Sequence, residues 1–267
     1  MRRVLVITGS RADRGLMAWP VKKLREDGSF DVKEVDAYSY FEGDLALMLG
    51  DREEILTAAI ACHLKRLPIA HIAGGDVTEG SYDDAMRDCI SRMASIHFVT
   101  STSAMARLTH MGCKNVHLVG NPGIDYIRHA NWKKDRPFAG PYVVVNYQVE
   151  TIDGTTELGK VRTAVGDRRA IYIMPNPDRG SEQLAEDIRE IARGSDVVLQ
   201  GLPHDEYMNL IYHCDELIGN SSSMLYEAPE LGIKTRMIGK RQRGRTIPMG
   251  DGLASDRIVK ILKYTSL

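Results

Sequence analysis

The chain has 267 residues, 43% of them hydrophobic and 27% charged, with a formal net charge of -1. That composition describes a globular protein able to bury one large core or two modest ones, and it carries no whole-chain bias toward nucleic acid or an acidic partner. No apolar run approaches the roughly twenty residues a membrane span requires. The opening MRRVLVITGSRADRG is too short in its apolar part for a signal peptide, so a cytoplasmic protein is expected. Cys62, Cys89, Cys113 and Cys214 lie far apart without a CxxC pair, which points to neither a zinc site nor a disulfide framework.

In chain order, RRVLVIT reads as a strand ending at Gly9-Ser10, and Leu16, Trp19, Val21 and Leu24 give the helix that follows. The cadence repeats: strand DLALML before Gly50-Asp51, helix ILTAAIACHLKRL, strand PIAHIA before Gly74-Gly75, helix DDAMRDCISRMA, strand HFVT, helix SAMARLTHMG and strand VHLVG. RHANWKKDRPFAGP interrupts it with charge and prolines and reads as a linker. The pattern then restarts with strand YVVVN, a helix near TTELGKVRTAV, strand AIYIMP, helix SEQLAEDIREIA, strand DVVLQ, helix DEYMNLIYHC, strand ELIG, helix SSMLYEAPELG and strand TRMIG. Such alternation predicts parallel sheets covered on both faces. The expected fold is α/β with two Rossmann-like domains, residues 1–130 and 141–253, and a closing helix within 254–267 free to pack on either half, back on the first being one option. Two such halves make a cleft, and ligands of open parallel sheets lie beyond the carboxyl ends of the strands.

The loops at those ends combine glycine with polar groups: Gly9-Ser10-Arg11, Gly50-Asp51-Arg52, Gly74-Gly75-Asp76, Gly120-Asn121-Pro122, Asn176 to Gly180 and Gly219-Asn220-Ser221-Ser222-Ser223. Glycine admits a ligand close to the backbone, and a following helix N-terminus offers unpaired N–H groups, which suits an anion. Taken singly, each loop is ordinary turn and cap chemistry. Asn220, Ser221 and Ser222 sit where a helix is expected to begin and could wrap a phosphate. Glu227 follows within that helix; a carboxylate there suits sugar hydroxyls better than phosphate, while its plain alternative is a solvated side chain. Lys240, Arg241, Arg243 and Arg245 form a basic loop that is either a surface charge run or a clamp on a diphosphate, which guanidinium groups can fork. Acids cluster in the first half, with Asp51, Asp76, Glu79, Asp83 and Asp84 as either helix caps or general acid–base groups. GxSxG, HExxH and GxxxxGK[ST] are all missing. His71, His97 and His204 are read as structural.

VITGSRAD, LGDREEILTAAIA, PIAHIAGGDVTEGSYDDAMR, VGNPGID, MPNPDRGS and GNSSSMLYEAPELGIKTRMIGKRQRGR occur in this order. Together they make the sequence resemble the UDP-N-acetylglucosamine 2-epimerase family, in particular its hydrolysing branch. The resemblance implies a glycosyltransferase-B type fold binding a UDP-sugar, with Arg11 and Arg243 on the diphosphate, Ser221 and Ser222 on phosphate or nucleotide, and Glu227 on the ribose. Arg87, Asn121, Gln148, Asn220 and Arg241 complete the implied substrate contacts, and Asp51, Asp76 and Asp83 fall at or beside the family's catalytic acids. It implies no metal and no other cofactor, and homodimers are common among such enzymes.

This chain departs from the family on the sugar side. Gln148 stands where the family carries a histidine, Ala73 replaces the glutamate of HIEGG, and the stretch before Gly50-Asp51 is short, so that part of the first domain is expected to be truncated. An amide can hydrogen-bond but exchanges no proton near neutrality. Beside epimerisation, two alternatives therefore stand: transfer of a sugar from UDP to an acceptor alcohol, a hydroxylated DNA base among them, and non-catalytic UDP-sugar binding.

Overall fold

The computed structural model describes residues 1–9, 11–80, 82–150, 154–245 and 250–266, without the side chains of Arg11 and Ala12. The chain divides into two units: Met1–Val77, Asp83–Ala130 and Thr246–Leu267 form the first, Thr78–Tyr82 and Asn131–Arg245 the second.

The first unit runs β1 (Arg2–Thr8), α1 (Arg11–Asp27), β2 (Phe30–Asp36), β3 (Leu45–Leu49), α2 (Glu53–Leu64), β4 (Ile69–Ile72), α3 (Asp83–Met93), β5 (Ile96–Val99), α4 (Thr102–His110), β6 (Val116–Leu118) and α5 (Pro122–His129). The six strands form one parallel sheet in the order β2-β1-β3-β4-β5-β6. Alternation along β1 explains its double burial. Val4 and Val6 join Met17, Val21 and Leu24 of α1 on one face, while Leu5 and Ile7 join Ile55, Ala58 and Cys62 of α2 on the other.

The passage from β2 to β3 crosses β1 without a helix. Parallel neighbours ordinarily need a connection of about a dozen residues or more, usually helical. Here residues 37–44 form a strap laid on the sheet. Ala37 and Phe41 bury themselves among Leu5, Ile7, Ala46 and Met48, where a helix face would otherwise stand. At Gly43 a Cβ would come within 2.8 Å of Leu5 Cγ, so the strap has no room for a side chain there. Lys65 Nζ donates to the Phe41 carbonyl at 3.3 Å and holds the strap against the end of α2. β2 itself departs from the sequence reading, which passed over FDVKEVD: its alternating charged residues sit on an edge strand that is largely exposed.

The second unit runs β7 (Val143–Asn146), α6 (Leu158–Val165), β8 (Ala170–Ile173), α7 (Ser181–Ile191), β9 (Val197–Leu199), α8 (His204–Tyr212), β10 (Glu216–Gly219), α9 (Glu227–Glu230) and β11 (Thr235–Met237). Its five strands are parallel in the order β11-β10-β7-β8-β9. Val143, Val145, Tyr172 and Ile218 meet Val161, Leu184 and Ile188 in its core. The stretch expected as a linker is built into this unit. Trp132 is buried edge-on against Tyr212 at 5.5 Å, and the Lys134 N–H donates to Asn209 Oδ1 at 2.8 Å.

The expected helix SSMLYEAPELG is instead a 3-10 turn over Ser222–Met224 followed by the short α9. Pro229 lacks the N–H that would bond the Leu225 carbonyl, so one continuous helix cannot run through it. The closing helix α10 (Ala254–Tyr264) belongs to the first unit, where Ile258, Val259 and Leu262 join the Val4 and Val6 core. Among the described residues no helix is long and apolar enough to cross a membrane.

Candidate functional site

In the second unit the loops after β7 and β10 are locked together. β10 ends at Gly219 with φ +141, and a Cβ there would lie 2.1 Å from the Asn146 carbonyl oxygen, so glycine is required. The next side chain, Asn220, continues the strand pairing. Its Oδ1 accepts the Gln148 N–H at 2.6 Å and its Nδ2 donates to the Gln148 carbonyl at 2.8 Å. Asn220 is wholly buried and serves the protein's own backbone. The Gln148 amide is likewise engaged, with Oε1 accepting the Asn176 N–H at 2.8 Å and Nε2 donating to Asn146 Oδ1 at 2.8 Å.

Ser221 caps the 3-10 turn, its Oγ accepting the Ser223 N–H at 3.3 Å. Ser222 is half-buried in that turn. Glu227 opens α9 and is 8% exposed; its Oε2 is buried with no hydrogen-bond partner. Burial pushes its carboxyl up to about 7, only partly opposed by its own backbone N–H and by the Arg245 charge. A buried, half-satisfied carboxylate is costly, and two sugar hydroxyls are the kind of donors that would complete it.

The basic loop divides its roles. Arg241 faces inward, donating to the Val149 carbonyl at 2.8 Å and to Asp178 Oδ2 at 3.3 Å. Arg243 is mostly exposed, with Glu79 3.8 Å away. Arg245 Nε donates to Tyr226 Oη at 2.6 Å and the guanidinium lies over that ring. Two residues that the sequence reading passed over tie this loop down. Glu150 Oε1 accepts the Lys240 N–H at 2.9 Å, and Gln242 Nε2 donates to the Asn220 carbonyl at 2.9 Å. Neither had a sequence signal beyond its place near a strand end.

In the first unit two carboxylates and one backbone carbonyl gather around a buried cation. Arg87 of α3 is 1% exposed; it pairs with the carboxylates of Asp51 and Asp84 and donates to the Asp76 carbonyl at 2.7 Å. Expected as a substrate contact, it is committed to the acids themselves. Asp76 is nearly buried, and its Oδ1 accepts the Thr100 hydroxyl at 2.6 Å. Asp83 is the first residue of α3 and half-buried. Asn121 caps α5, its Oδ1 accepting the Gly123 N–H at 2.8 Å. The Arg11 side chain lies outside the described residues.

His71 is structural in a specific way. Its Nε2 lies 2.8 Å from the Gly50 carbonyl and its Nδ1 3.1 Å from Ser91 Oγ, so the neutral ring donates from Nε2 and accepts at Nδ1. It thereby ties the residue before Asp51 to the helix that carries Asp83, Asp84 and Arg87. Burial holds it down at about 4, and burial does the same for His97, its neighbour across the β4–β5 pairing. His204 opens α8.

Two parallel-sheet, Rossmann-like units place the chain in the glycosyltransferase-B fold class. The sequence pattern of the family described as UDP-N-acetylglucosamine 2-epimerase matches residues 33–249, and the chain belongs to that family. A Legionella pneumophila UDP-N,N'-diacetylbacillosamine 2-epimerase (hydrolyzing) is 26% identical over 313 aligned positions, covering 92% of this chain and 83% of the relative. A Campylobacter jejuni GDP/UDP-N,N'-diacetylbacillosamine 2-epimerase (hydrolyzing) is 28% identical over 79% of this chain and 60% of its own length. A Neisseria meningitidis UDP-N-acetylglucosamine 2-epimerase is 27% identical over 76% and 58%. The chain thus spans less than two thirds of the latter two. Among solved structures, the Methanocaldococcus jannaschii UDP-GlcNAc 2-epimerase in complex with UDP-GlcNAc and UDP aligns with TM-score 0.77 at 14% identity, over 98% of this chain and 100% of that one. The S. aureus MnaA-UDP co-structure aligns with TM-score 0.76 at 15% identity, over 99% and 96%. Both establish a shared fold.

Proposed function

We propose that this protein cleaves the C1–O bond of a UDP-activated N-acetylamino sugar while inverting C2, as a hydrolysing 2-epimerase. The observation that carries the reading is Glu227, a buried carboxylate with one unpartnered oxygen beside the Ser221–Ser223 turn at the carboxyl end of β10. A uridine diphosphate has the ribose hydroxyls to complete that carboxylate and the anionic oxygens to meet the serine turn and the exposed Arg243. The names of the relatives support the substrate class.

The second unit takes the nucleotide, and the first supplies the acids. Asp83, half-buried at the start of α3 where Asp76 is nearly buried and Asp51 is paired with Arg87, removes the C2 proton as the C1–O bond breaks and UDP departs. This leaves a glycal-like intermediate. Water then adds at C1 and a proton returns to C2 from the opposite face, releasing the free N-acetylmannosamine-type sugar. Asp51, fixed by Arg87, and Asp76, fixed by Thr100, are oriented to assist. Gln148 supplies no proton. The setting we assign is cytoplasmic, in keeping with four free cysteines.

The test is incubation with UDP-N-acetylglucosamine in deuterated water, following UDP by chromatography and the sugar by NMR. UDP release with deuterium at C2 of the free sugar is expected. Release only when an alcohol such as a hydroxymethylated DNA base is added, with the C2 hydrogen retained, would replace the reading by glycosyl transfer; tight UDP binding without turnover would leave a binding protein. Light scattering on the same sample tests the homodimer expected from the family.

A further inference from the structure

Below the serine turn runs a chain of hydrogen bonds whose direction is forced from one end. The Asn176 backbone N–H can only donate, so the Gln148 atom 2.8 Å away is the acceptor Oε1. That leaves Nε2 to donate to Asn146 at 2.8 Å, which fixes Oδ1 there and turns Asn146 Nδ2 toward Tyr207 Oη at 3.1 Å. Tyr207 Oη therefore accepts from Asn146, and its own proton goes to its remaining partner, Ser223 Oγ, at 2.6 Å. Burial raises the Tyr207 phenol, so that proton stays in place across the working range. Ser223 Oγ in turn donates to Ser221 Oγ at 3.0 Å, and the Ser223 N–H donates to the same oxygen at 3.3 Å. Both acceptor positions of Ser221 Oγ are then filled from within the protein. Its own hydroxyl proton is what remains.

We infer that Gln148, Asn146, Tyr207 and Ser223 form a one-way relay that fixes the Ser221 hydroxyl as an obligate donor, making it a reader of anionic oxygen, the diphosphate of a nucleotide. Gln148 and Tyr207 are positioning residues that act through Ser221. The inference rests on the reading that the second unit binds uridine diphosphate. It also gives Gln148 a role distinct from proton exchange: an amide has a fixed donor end and a fixed acceptor end at every pH, which a titrating side chain at the head of the relay would lack.

Tyr207→Phe removes the middle link while keeping the ring. Calorimetric titration with UDP, and competition NMR with uridine as the phosphate-free probe, should show UDP binding weakened about tenfold or more and uridine binding unchanged, because the lost donor is one aimed at charge. Ser221→Ala should show the same pattern, and the double variant should bind UDP no more weakly than Ser221→Ala alone. If Tyr207→Phe does not fold, Ser223→Ala cuts the same link. Gln148→Glu, which cannot donate to Asn146 when ionised, should also lower UDP affinity and leave uridine unaffected. The relay is overturned if Tyr207→Phe binds UDP as the wild type does, if it loses UDP and uridine equally, or if its loss adds to that of Ser221→Ala. A folded wild type that binds no UDP at all overturns the nucleotide reading beneath it, an outcome distinct from the other three.

Discussion

Arg87 and Asp51 form an ion pair from which water is nearly excluded: the guanidinium side chain is 2% exposed and the carboxylate 19%. The same guanidinium pairs with Asp84 and donates to the Asp76 carbonyl. Removing one partner of such a pair leaves the other charged and enclosed, at a cost of about 3–5 kcal/mol. Arg87→Met should therefore lower stability by an amount in that range in urea unfolding. Arg87→Lys should recover only part of it, because a single ammonium cannot fork among three oxygens on separate segments. Full stability in Arg87→Lys would show that charge alone, and not the fork, holds the acids.

The His71 bridge makes the first unit sensitive to acid. Its folded value of about 4 lies below the usual 6.5, since burial disfavours the imidazolium. A depressed value means that the stability it contributes is complete above pH 6.5 and is lost as pH falls toward 4, with a limiting slope of about 1.4 kcal/mol per pH unit for each such group. His71→Gln, which does not titrate, should be less stable than the wild type at pH 7 but lose less between pH 6.5 and 4. Urea unfolding at those pH values reads the difference. Equal slopes in the two proteins would mean that His71 protonates freely in the folded state.

Glu227 works in the opposite sense. Its carboxyl is pushed from 4.5 up to about 7, so the folded protein bears a penalty that sets in as pH rises above 4.5 and is complete above 7. Glu227→Gln keeps the shape and removes the charge. At pH 8 it should raise stability by up to about 3 kcal/mol, with little change at pH 4, while UDP affinity falls severely. Gain of stability together with loss of binding is the signature of a group strained for a ligand. A variant that binds UDP normally would sink the ribose assignment.

Much of the fold was legible because double burial writes itself into a sequence. Val4–Ile7 and Tyr142–Val145 are apolar without interruption, as strands covered on both faces must be, and the glycine that ends β10 is required for the reason the structure makes explicit at Gly219. What stayed hidden was polar or exposed. FDVKEVD forms an edge strand, and its charges mask the period. The strap hides its one anchoring aromatic, Phe41, directly after two exposed tyrosines, Tyr38 and Tyr40. The sites were legible as residue types more than as roles. Asn220, Gln148 and Arg241 were expected to touch substrate, yet each has its polar atoms engaged within the protein. Local sequence shows that a polar group stands at a strand end but not which neighbour from a distant loop meets it. Tyr207 had no motif at all, and His71 stood in HIAGG with nothing to show what it ties together, because a residue that positions another is defined only by the contacts it makes.

Asp83 and Asp84 are adjacent in sequence but their surroundings assign them different work. Asp84 is paired with the buried Arg87, so Asp84→Asn should cost stability first and activity as a consequence. Asp83 is the first residue of α3, where a negative charge contributes about 0.3–1 kcal/mol through the helix dipole. Asp83→Asn should therefore melt within a few degrees of the wild type and bind UDP within about twofold of its affinity. If Asp83 is the group that takes the C2 proton, UDP release should fall about a hundredfold or more, the usual contribution of a positioned base. The two variants together separate the roles: melting temperature falls in Asp84→Asn, and turnover falls at constant melting temperature in Asp83→Asn. Retained turnover in the second would move the proton transfer to Asp76 or Asp51, and the same pair of measurements on Asp76→Asn would then decide between them.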